Sequence, residues 1–219
     1  MKKVFGFTVV VLVFTASMAF GAISIQNLGF EDGLNGWNTN VPVGGSINVV
    51  SSHTDTSSSP YGSASGVTSW SAYSGDDFAL LKTDGPGTDI TLYQSFTADA
   101  GDVLEFMYFW DSQDYKPFAD AASGAIYLGD DTSGTQVATL FSENILSDPL
   151  NHWGTSWKKV SWIAPYASTF TLAFNIENGL DGILDSYLGI DAVPVPGAFI
   201  LSALGTGLIG LIRCRQMIS

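Results

Sequence analysis

Large apolar residues recur at every second position in the most regular stretch of the chain, residues 169–176, where they alternate with Thr, Ala and Asn. A period of two predicts a β-strand with one buried face. Residues 103–110 are apolar on both faces apart from Glu105, which predicts a strand in the centre of a sheet. About ten such short runs, spaced roughly 8–12 residues apart and without a long helical period, predict an antiparallel β-sandwich, most simply a jelly roll. We expect this single all-β domain to span residues 22–192.

Turn-forming residues between the apolar runs set the expected strand bounds. Residues 54–66 predict a loop. Residues 111–123 predict an acidic loop in which Asp111, Asp114 and Asp120 are solvated. The other predicted strands cover 23–31, 46–51, 78–82, 90–96, 125–128, 136–141, 157–163 and 185–192.

The N-terminal segment differs from the body by a continuous apolar run. Lys2 and Lys3 precede the apolar stretch 4–14, and small residues follow it. A basic start, a short apolar run and small residues at cleavage spacing predict a secretory signal peptide over residues 1–21, cut after position 19 or position 21. The run is too short to favour an uncleaved membrane anchor, so we expect the body of the protein to be exported.

The C-terminal segment carries a second apolar run. Two prolines interrupt the chain at 193–196, an uncharged apolar stretch covers 197–212, and Arg213 and Arg215 lie in a basic tail, 213–219. The large apolar residues of the stretch favour membrane insertion by roughly 4 kcal/mol in total, which predicts a transmembrane helix. Arginines beside a membrane span stay in the cytoplasm. The body is therefore expected outside, in agreement with the signal peptide.

Charge narrows the range of partners. All 21 acidic residues lie between positions 31 and 191, and four lysines against them leave this body with a formal charge of −17. Such a surface repels phosphate backbones, which excludes nucleic acid as a partner, and it suits divalent cations. The single cysteine, Cys214, excludes an internal disulfide and a cysteine-based metal site from the body.

The residues Val193, Pro194, Val195 and Pro196, the apolar stretch and the arginines stand in the order of a known sorting signal. This tail resembles the PEP-CTERM signal of bacterial proteins that an exosortase processes, although the usual motif has Glu where this chain has Val195. The resemblance implies that the membrane helix is a temporary tether of an inner-membrane precursor, cut near the motif. It also implies a non-catalytic protein of the cell surface or extracellular matrix, associated with exopolysaccharide.

A second resemblance covers most of the body. Six segments are similar, in this order, to carbohydrate-binding-module-like jelly rolls: 27–31, 36–37, 93–97, 100–102, 104–106 and 185–191. The resemblance implies the same fold and offers, as the alternative function, a glycan-binding adhesin-type module. In the resembling modules a structural calcium ion is held by an N-terminal Glu and a C-terminal Asp that match Glu31 and Asp191.

Candidate chemistry in the body is limited. The two histidines, His53 and His152, stand in no catalytic motif, so we expect no enzymatic activity. Sugar binding needs exposed aromatic side chains beside hydrogen-bonding groups. Four aromatic residues meet this description, although burial in the core is an equal alternative for the first two: Trp70, Tyr73, Tyr115 and Trp153.

Glu31 and Asp191 are the candidate metal ligands. The first and last strands of a jelly roll often lie side by side, which would bring the two carboxylates together. Carboxylate and backbone carbonyl oxygens suit Ca²⁺. The alternative is that both residues cap strands and face solvent.

Overall fold

The computed structural model describes residues 21–55, 68–83, 85, 87, 89–147 and 153–194. These residues form two antiparallel sheets packed face to face, and the only helix among them is a short 3-10 helix, Ile145–Ser147. The predicted antiparallel β-sandwich of jelly-roll type is therefore confirmed. The strands are β1 Asn38–Asn40, β2 Ser46–Val50, β3 Ser52–Thr54, β4 Ser69–Ser71, β5 Phe78–Lys82, β6 Asp89–Ala98, β7 Val103–Ser112, β8 Ala121–Leu128, β9 Gln136–Asn144, β10 Trp153–Gly154, β11 Lys158–Ile163, β12 Ser168–Glu177 and β13 Ser186–Ala192.

Most strands that are consecutive in sequence lie in different sheets, although β8 and β9 pair with each other. One sheet has five strands in the order β1-β6-β12-β8-β9, and the other has six in the order β10-β7-β13-β5-β2, with β11 also paired to β7. A separate two-stranded sheet joins β3 and β4. Strand β7 has neighbours on both sides, as predicted for a strand that is apolar on both faces.

The core lies between the two large sheets and follows the alternation of β7 and β12. Phe170 and Phe174 of β12 point inward and are fully buried. Phe174 meets Phe106 of β7 edge-on, with ring centroids 5.1 Å apart. Burial of each such side chain contributes roughly 1.5–3 kcal/mol. The alternate side chains of β12, among them Ala173 and Asn175, consequently point away from the core, onto the open face of the five-stranded sheet.

The outer face of the six-stranded sheet is covered by the β3–β4 hairpin. Trp70 of β4 stacks on Phe109 of β7, with centroids 4.6 Å apart and ring planes 9° apart. Phe78 and Leu80 of β5 complete this second apolar cluster. The two outer faces of the sandwich therefore differ, because one carries an extra layer and the other does not.

Strands β10 and β11 form one edge strand that is interrupted by a bulge. Gly154 pairs with Asp111 and Lys158 with Tyr108, which leaves residues 155–157 opposite only two residues of β7. An extra residue in one strand bends it and redirects its side chains. The last residue of the bulge, a tryptophan, is turned toward the hairpin as a result.

The prediction of a strand at 23–31 is wrong. Ala22 makes a single parallel bridge to Val103, and the chain after it folds into turns. Asn27 and Phe30 have φ angles of 52° and 57°, which lie outside the β region. The Asn27 side chain supplies a donor and an acceptor to the backbone that follows it, which stabilises these turns.

The solvated acidic loop predicted at 111–123 is also wrong. Asp111, Asp114 and Asp120 are 0%, 1% and 0% exposed, respectively. Strands β7 and β8 both extend into this segment, so its two ends lie inside the sheets. Asp111 belongs to β7, whereas Asp114 and Asp120 are buried in the connection between β7 and β8, and an acidic composition reveals neither position.

Both predicted targeting segments fall largely outside the described residues. This holds for residues 1–20 and for the predicted membrane helix with its two arginines. Strand β13 ends at Ala192, and Val193 and Pro194 follow it directly, whereas Val195 and Pro196 are not described. Within the described ranges, no helix is long and apolar enough to cross a membrane.

Candidate functional site

The open face of the five-stranded sheet carries a cleft of about 320 Å³. Its floor consists of outward side chains of β6, β8 and β12. The strand register places Thr91, Asn175 and Ser123 in one row, and Tyr93, Ala173 and Ala125 in the next. The two alanines, which line the cleft, leave space above the floor for a ligand.

The first row supplies hydrogen-bonding groups. Asn175 Nδ2 donates to Thr91 Oγ1 at 3.3 Å, which orients the amide, and the Ser123 hydroxyl lies on the other side of Asn175. An amide between two hydroxyl groups presents both donors and acceptors at one level of the cleft.

Two carboxyl groups close one end of the cleft. Asp89 and Glu177 are directly opposite each other on β6 and β12. Burial raises the pKa of Glu177, and its hydrogen bond to Asp89 and the charge of Asp89 raise it further. A hydrogen bond between two carboxyl groups requires a proton on one of them. Glu177 therefore keeps its proton to a higher pH than a solvated glutamic acid would.

Tyr127 of β8 and Thr132 of the following turn line the same cleft. Tyr127 is half-buried, so part of its ring is available to a ligand while its position is fixed by packing. The cleft thus combines an aromatic ring, a floor of small side chains and convergent polar groups, which is the composition of a small-ligand site.

A second concavity, of about 280 Å³, lies on the opposite side of the sandwich. Tyr73, just after β4, is 45% exposed, and its ring centroid lies 6.0 Å from that of Trp157 in the bulge. Trp157 packs edge-on against Phe109 at 4.7 Å, and its Nε1 donates to the Ser71 carbonyl at 3.0 Å. We call this concavity the Tyr73–Trp157 groove. Serine residues of the hairpin and the bulge line it: Ser69, Ser71 and Ser156.

Two carboxylates organise the loop that carries Tyr73. Asp191 Oδ2 accepts hydrogen bonds from the amides of residues 73–74 at 2.7 and 2.9 Å. Glu31 Oε1 accepts from the amides of residues 76–77 at 2.9 and 3.2 Å. Glu31 and Asp191 therefore hold the same loop from its two ends.

The route by which Glu31 and Asp191 were predicted to meet is wrong, because β13 lies between β7 and β5. The loop 72–77 brings them together instead. Burial raises the pKa of Asp191 to about 6, and the charge of Glu31 contributes in the same direction. Among the described residues no group of three or more His, Cys, Asp or Glu side chains is placed to hold a metal ion. A cation between these two carboxylates would therefore need backbone oxygens as further ligands.

The predicted aromatic residues lie in different environments. Trp70 is 3% exposed, and its Nε1 donates to the Thr155 carbonyl at 2.8 Å, so of the two alternatives the structure assigns its ring to the core. Tyr115 is half-buried against Phe118 at 5.2 Å and lines neither concavity. Trp153 is the first residue of β10, and its side chain lies outside what the structure describes.

A buried His–Asp pair fastens the hairpin to the six-stranded sheet. His53 Nε2 lies 2.8 Å from Asp111 Oδ2, and these side chains are 9% and 0% exposed. The imidazole also packs against Tyr187 at 4.4 Å and Trp70 at 5.5 Å. Burial raises the pKa of Asp111, and the hydrogen bond with His53 opposes that rise. His53 therefore has a structural position, inside the layer that supports the groove.

A wider concavity, of about 610 Å³, lies between the N-terminal segment and β6. Gln94 Nε2 donates to the carbonyls of Gln26 and Gly36 at 3.0 and 2.9 Å, which ties the segment down. Phe96 is the one aromatic residue in its lining and is 6% exposed.

Neither the cleft nor the role of Trp157 was predicted from the sequence. The alternation of 169–176 does indicate that Asn175 faces solvent, but one strand does not show which strands will lie beside it. Trp157 was predicted as part of a regular strand. The bulge that redirects its side chain sets residues 155–157 opposite two residues of β7. Such a bulge can be recognised only when both strands are known.

No protein-family model matches the chain, and no curated protein matches it. Solved structures with partial likeness include carbohydrate-binding modules, cleaved adhesin domains and the enzymatically active domain of a bacteriophage tailspike protein. TmCBM61, solved in complex with β-1,4-galactotriose, is 16% identical with a TM-score of 0.44, over 78% of this chain and 96% of that one. The K3 cleaved adhesin domain of Lys-gingipain from Porphyromonas gingivalis is 12% identical with a TM-score of 0.43, over 76% and 97%. The CBM22-2 xylan-binding domain of Paenibacillus barcinonensis Xyn10C is 16% identical with a TM-score of 0.35, over 75% and 97%. At these TM-scores the likeness assigns neither a family nor a ligand.

Proposed function

We propose that this protein is an exported, non-catalytic surface domain that binds a glycan in the cleft of the five-stranded sheet. The observation that carries the proposal is the cleft itself, where Tyr127, the Thr91–Asn175–Ser123 row and two carboxyl groups converge around a floor of small side chains. A pyranose ring has apolar C–H faces and a rim of hydroxyl groups. The cleft offers a matching surface for each.

The carboxyl end of the cleft favours hydroxyl groups as ligands. Carboxyl oxygens accept hydrogen bonds from sugar hydroxyl groups, and a protonated carboxyl group can also donate one. Asp89 is exposed and Glu177 is half-buried, so a sugar hydroxyl has access to both. No Lys or Arg lines this cleft in the described part of the chain. An uncharged glycan therefore suits the cleft better than one that carries uronic acids.

Export and sorting form the second part of the proposal. The N-terminal signal peptide would deliver the domain outside, and the tail 193–219 would hold the precursor in the inner membrane until an exosortase-type enzyme releases it to the cell surface or matrix. Supporting this order, β13 ends at Ala192 and the Pro-containing motif follows at once. Mass spectrometry of the mature protein from its host tests it. A mature chain that still ends at residue 219 would contradict processing, and the protein would then be membrane-anchored.

A structural calcium ion at Glu31 and Asp191 is the third part. Burial is the main cause of the raised pKa of Asp191, and the charge of Glu31, which holds the same loop, adds to it. A cation between the two carboxylates would offset both effects. We expect EDTA to lower the melting temperature and Ca²⁺ to restore it, with no such response in Asp191→Asn. An identical melting temperature in EDTA and in excess Ca²⁺ would contradict calcium binding and leave the glycan proposal untouched.

Affinity electrophoresis through gels that contain a soluble neutral polysaccharide tests glycan binding. Suitable polymers are a β-glucan, a β-galactan, a xylan and a mannan, with polygalacturonate as the anionic comparison. We expect retardation by at least one neutral polymer and weaker retardation for Asn175→Ala and Tyr127→Ala. Tyr166→Ala is the matched control, because Tyr166 is 44% exposed and lines neither concavity. Equal retardation of all variants would exclude the cleft as the site.

A further inference from the structure

We propose that the Tyr73–Trp157 groove is a second binding site for an uncharged glycan, and that the protein uses its two sites to cross-link polysaccharide chains. The cross-linking rests on the proposed function of the cleft, whereas the groove site stands on its own geometry. The groove lies over the outer face of one sheet and the cleft on the outer face of the other.

The Trp157 ring and the backbone of Tyr73 are held in place before any ligand arrives. Trp157 is fixed by its Nε1 bond to the Ser71 carbonyl and by edge-on contact with Phe78 and Phe109. The backbone of Tyr73 is fixed by the bond from its amide to a carboxylate. Preorganised side chains lose little freedom on binding, so more of the contact energy appears as affinity.

The geometry of these rings suits a sugar. The Tyr73 and Trp157 ring planes are tilted by 59° with centroids 6.0 Å apart, so they form two walls of an open angle. A pyranose can place one C–H face on a wall while its hydroxyl groups point along the groove. Hydroxyl groups of the exposed Ser71 and Ser156 lie beside that path and can act as both donors and acceptors.

Charge selects the class of glycan. The loop that carries Tyr73 is bordered by Glu31 and Asp191 and contains Asp76 and Asp77. Anionic sugars would be repelled by this local field, and the field of the whole body has the same sign. The ligand that the groove fits is therefore a neutral polysaccharide.

Because the two sites lie on opposite faces of the sandwich, one protein molecule can cross-link two polysaccharide chains. Two sheets of a sandwich pack about 10 Å apart, and each site lies on the far side of its own sheet, so one sugar ring cannot reach both. A long polymer offers many copies of its repeat, and a protein with two sites can engage two chains at once. Bivalent engagement raises the overall strength of attachment without any new contact.

The test compares variants that each disable one site. Tyr73→Ala should disable binding in the groove, and Tyr127→Ala should disable binding in the cleft. Each change should weaken retardation in the neutral polysaccharide gels by roughly tenfold where the disabled site dominates binding. The double variant should lose retardation altogether. Trp157→Phe keeps a ring but not the Ser71 bond, so we expect a smaller loss than for Tyr73→Ala. Tyr166→Ala again controls for removal of an exposed ring. Circular dichroism of each variant verifies that it is folded.

Cross-linking is read by light scattering from mixtures of the protein with the retarding polymer. Wild type should raise the scattering, and the single-site variants should bind without raising it. If Tyr73→Ala is retarded as strongly as wild type, and if adding Tyr73→Ala to the Tyr127→Ala variant causes no further loss, the groove site is overturned and the cleft stands. If Tyr127→Ala has no effect and Tyr73→Ala removes all binding, the cleft is overturned and the groove stands. Two functional sites without increased scattering would overturn the cross-linking. No retardation by any neutral polymer would overturn both sites.

Discussion

Replacing the buried Asp120 by Asn should remove a pH dependence from the stability of this fold. Asp120 is fully buried. Its Oδ2 accepts a hydrogen bond from the Ser186 hydroxyl, and its Oδ1 accepts one from the Gly179 amide at 3.4 Å. Burial raises the pKa of Asp120 from 3.8 to about 7, and the charge of Asp114 acts in the same direction against the Ser186 bond.

The sign and the size follow from that pKa. Below about pH 4, Asp120 is protonated in both the folded and the unfolded protein, so its contribution to stability is complete. Between about pH 4 and pH 7 the unfolded chain has released the proton while the folded protein still binds it. Stability therefore falls as pH rises through this window. A shift of about three pKa units, at 1.36 kcal/mol each, corresponds to a loss of at most about 4 kcal/mol.

Urea unfolding at intervals between pH 4 and pH 8 measures the effect. Asp120→Asn keeps the shape of the neutral acid, so at pH 4 we expect it to cost about 1 kcal/mol for imperfect hydrogen bonds. By pH 8 it should gain several kcal/mol relative to wild type. Asp130→Asn, at an exposed position of a hairpin turn, is the control for loss of one acid. Parallel curves for wild type and Asp120→Asn would refute the reasoning, because they would show that Asp120 titrates alike in both states.

Three further changes test the packing and the cleft. Gly189→Ala would place a methyl group in the Phe109 ring, so we expect a loss of about 1–3 kcal/mol in urea unfolding. Thr155→Val removes the acceptor of a buried backbone amide, and a similar loss of about 1–3 kcal/mol is expected in the same assay. Because burial and Asp89 raise the pKa of Glu177, its stabilising contribution is lost as pH rises through that pKa. The melting temperature of Glu177→Gln should therefore exceed that of wild type at pH 8 by more than at pH 4.

Strand positions were predictable because their causes are local. Strand β5 begins and ends at the predicted residues, Phe78 and Lys82, and β12 extends the predicted alternation by only one residue at each end, Ser168–Glu177. Alternation and turn residues act within a few positions of the chain, so a single sequence contains them. The same holds for the apolar face of β7, which correctly indicated an interior strand.

The sites were not predictable because distant segments form them. Thr91 and Asn175 are 84 residues apart, and His53 and Asp111 are 58 residues apart. A lone polar residue in a Ser-rich or acidic segment is ordinarily solvated, so sequence reasoning placed Asp111 in water. The pairing with His53, together with the extension of β7, reverses that expectation.

Side-chain size at outward strand positions explains why the two faces of one sandwich became different surfaces. On the five-stranded sheet the central outward residues Ala125 and Ala173 are small, so the face can remain open and form a cleft. On the six-stranded sheet the outward Phe109 and Tyr187 are large. Leaving such a side chain exposed instead of burying it would cost roughly 1.5–3 kcal/mol for each. Gly189, opposite Phe109 on β13, leaves room for the Phe109 ring to lie flat across the sheet. The β3–β4 hairpin then covers Phe109 and Tyr187, and the Tyr73 and Trp157 rings lie at the edge of that hairpin.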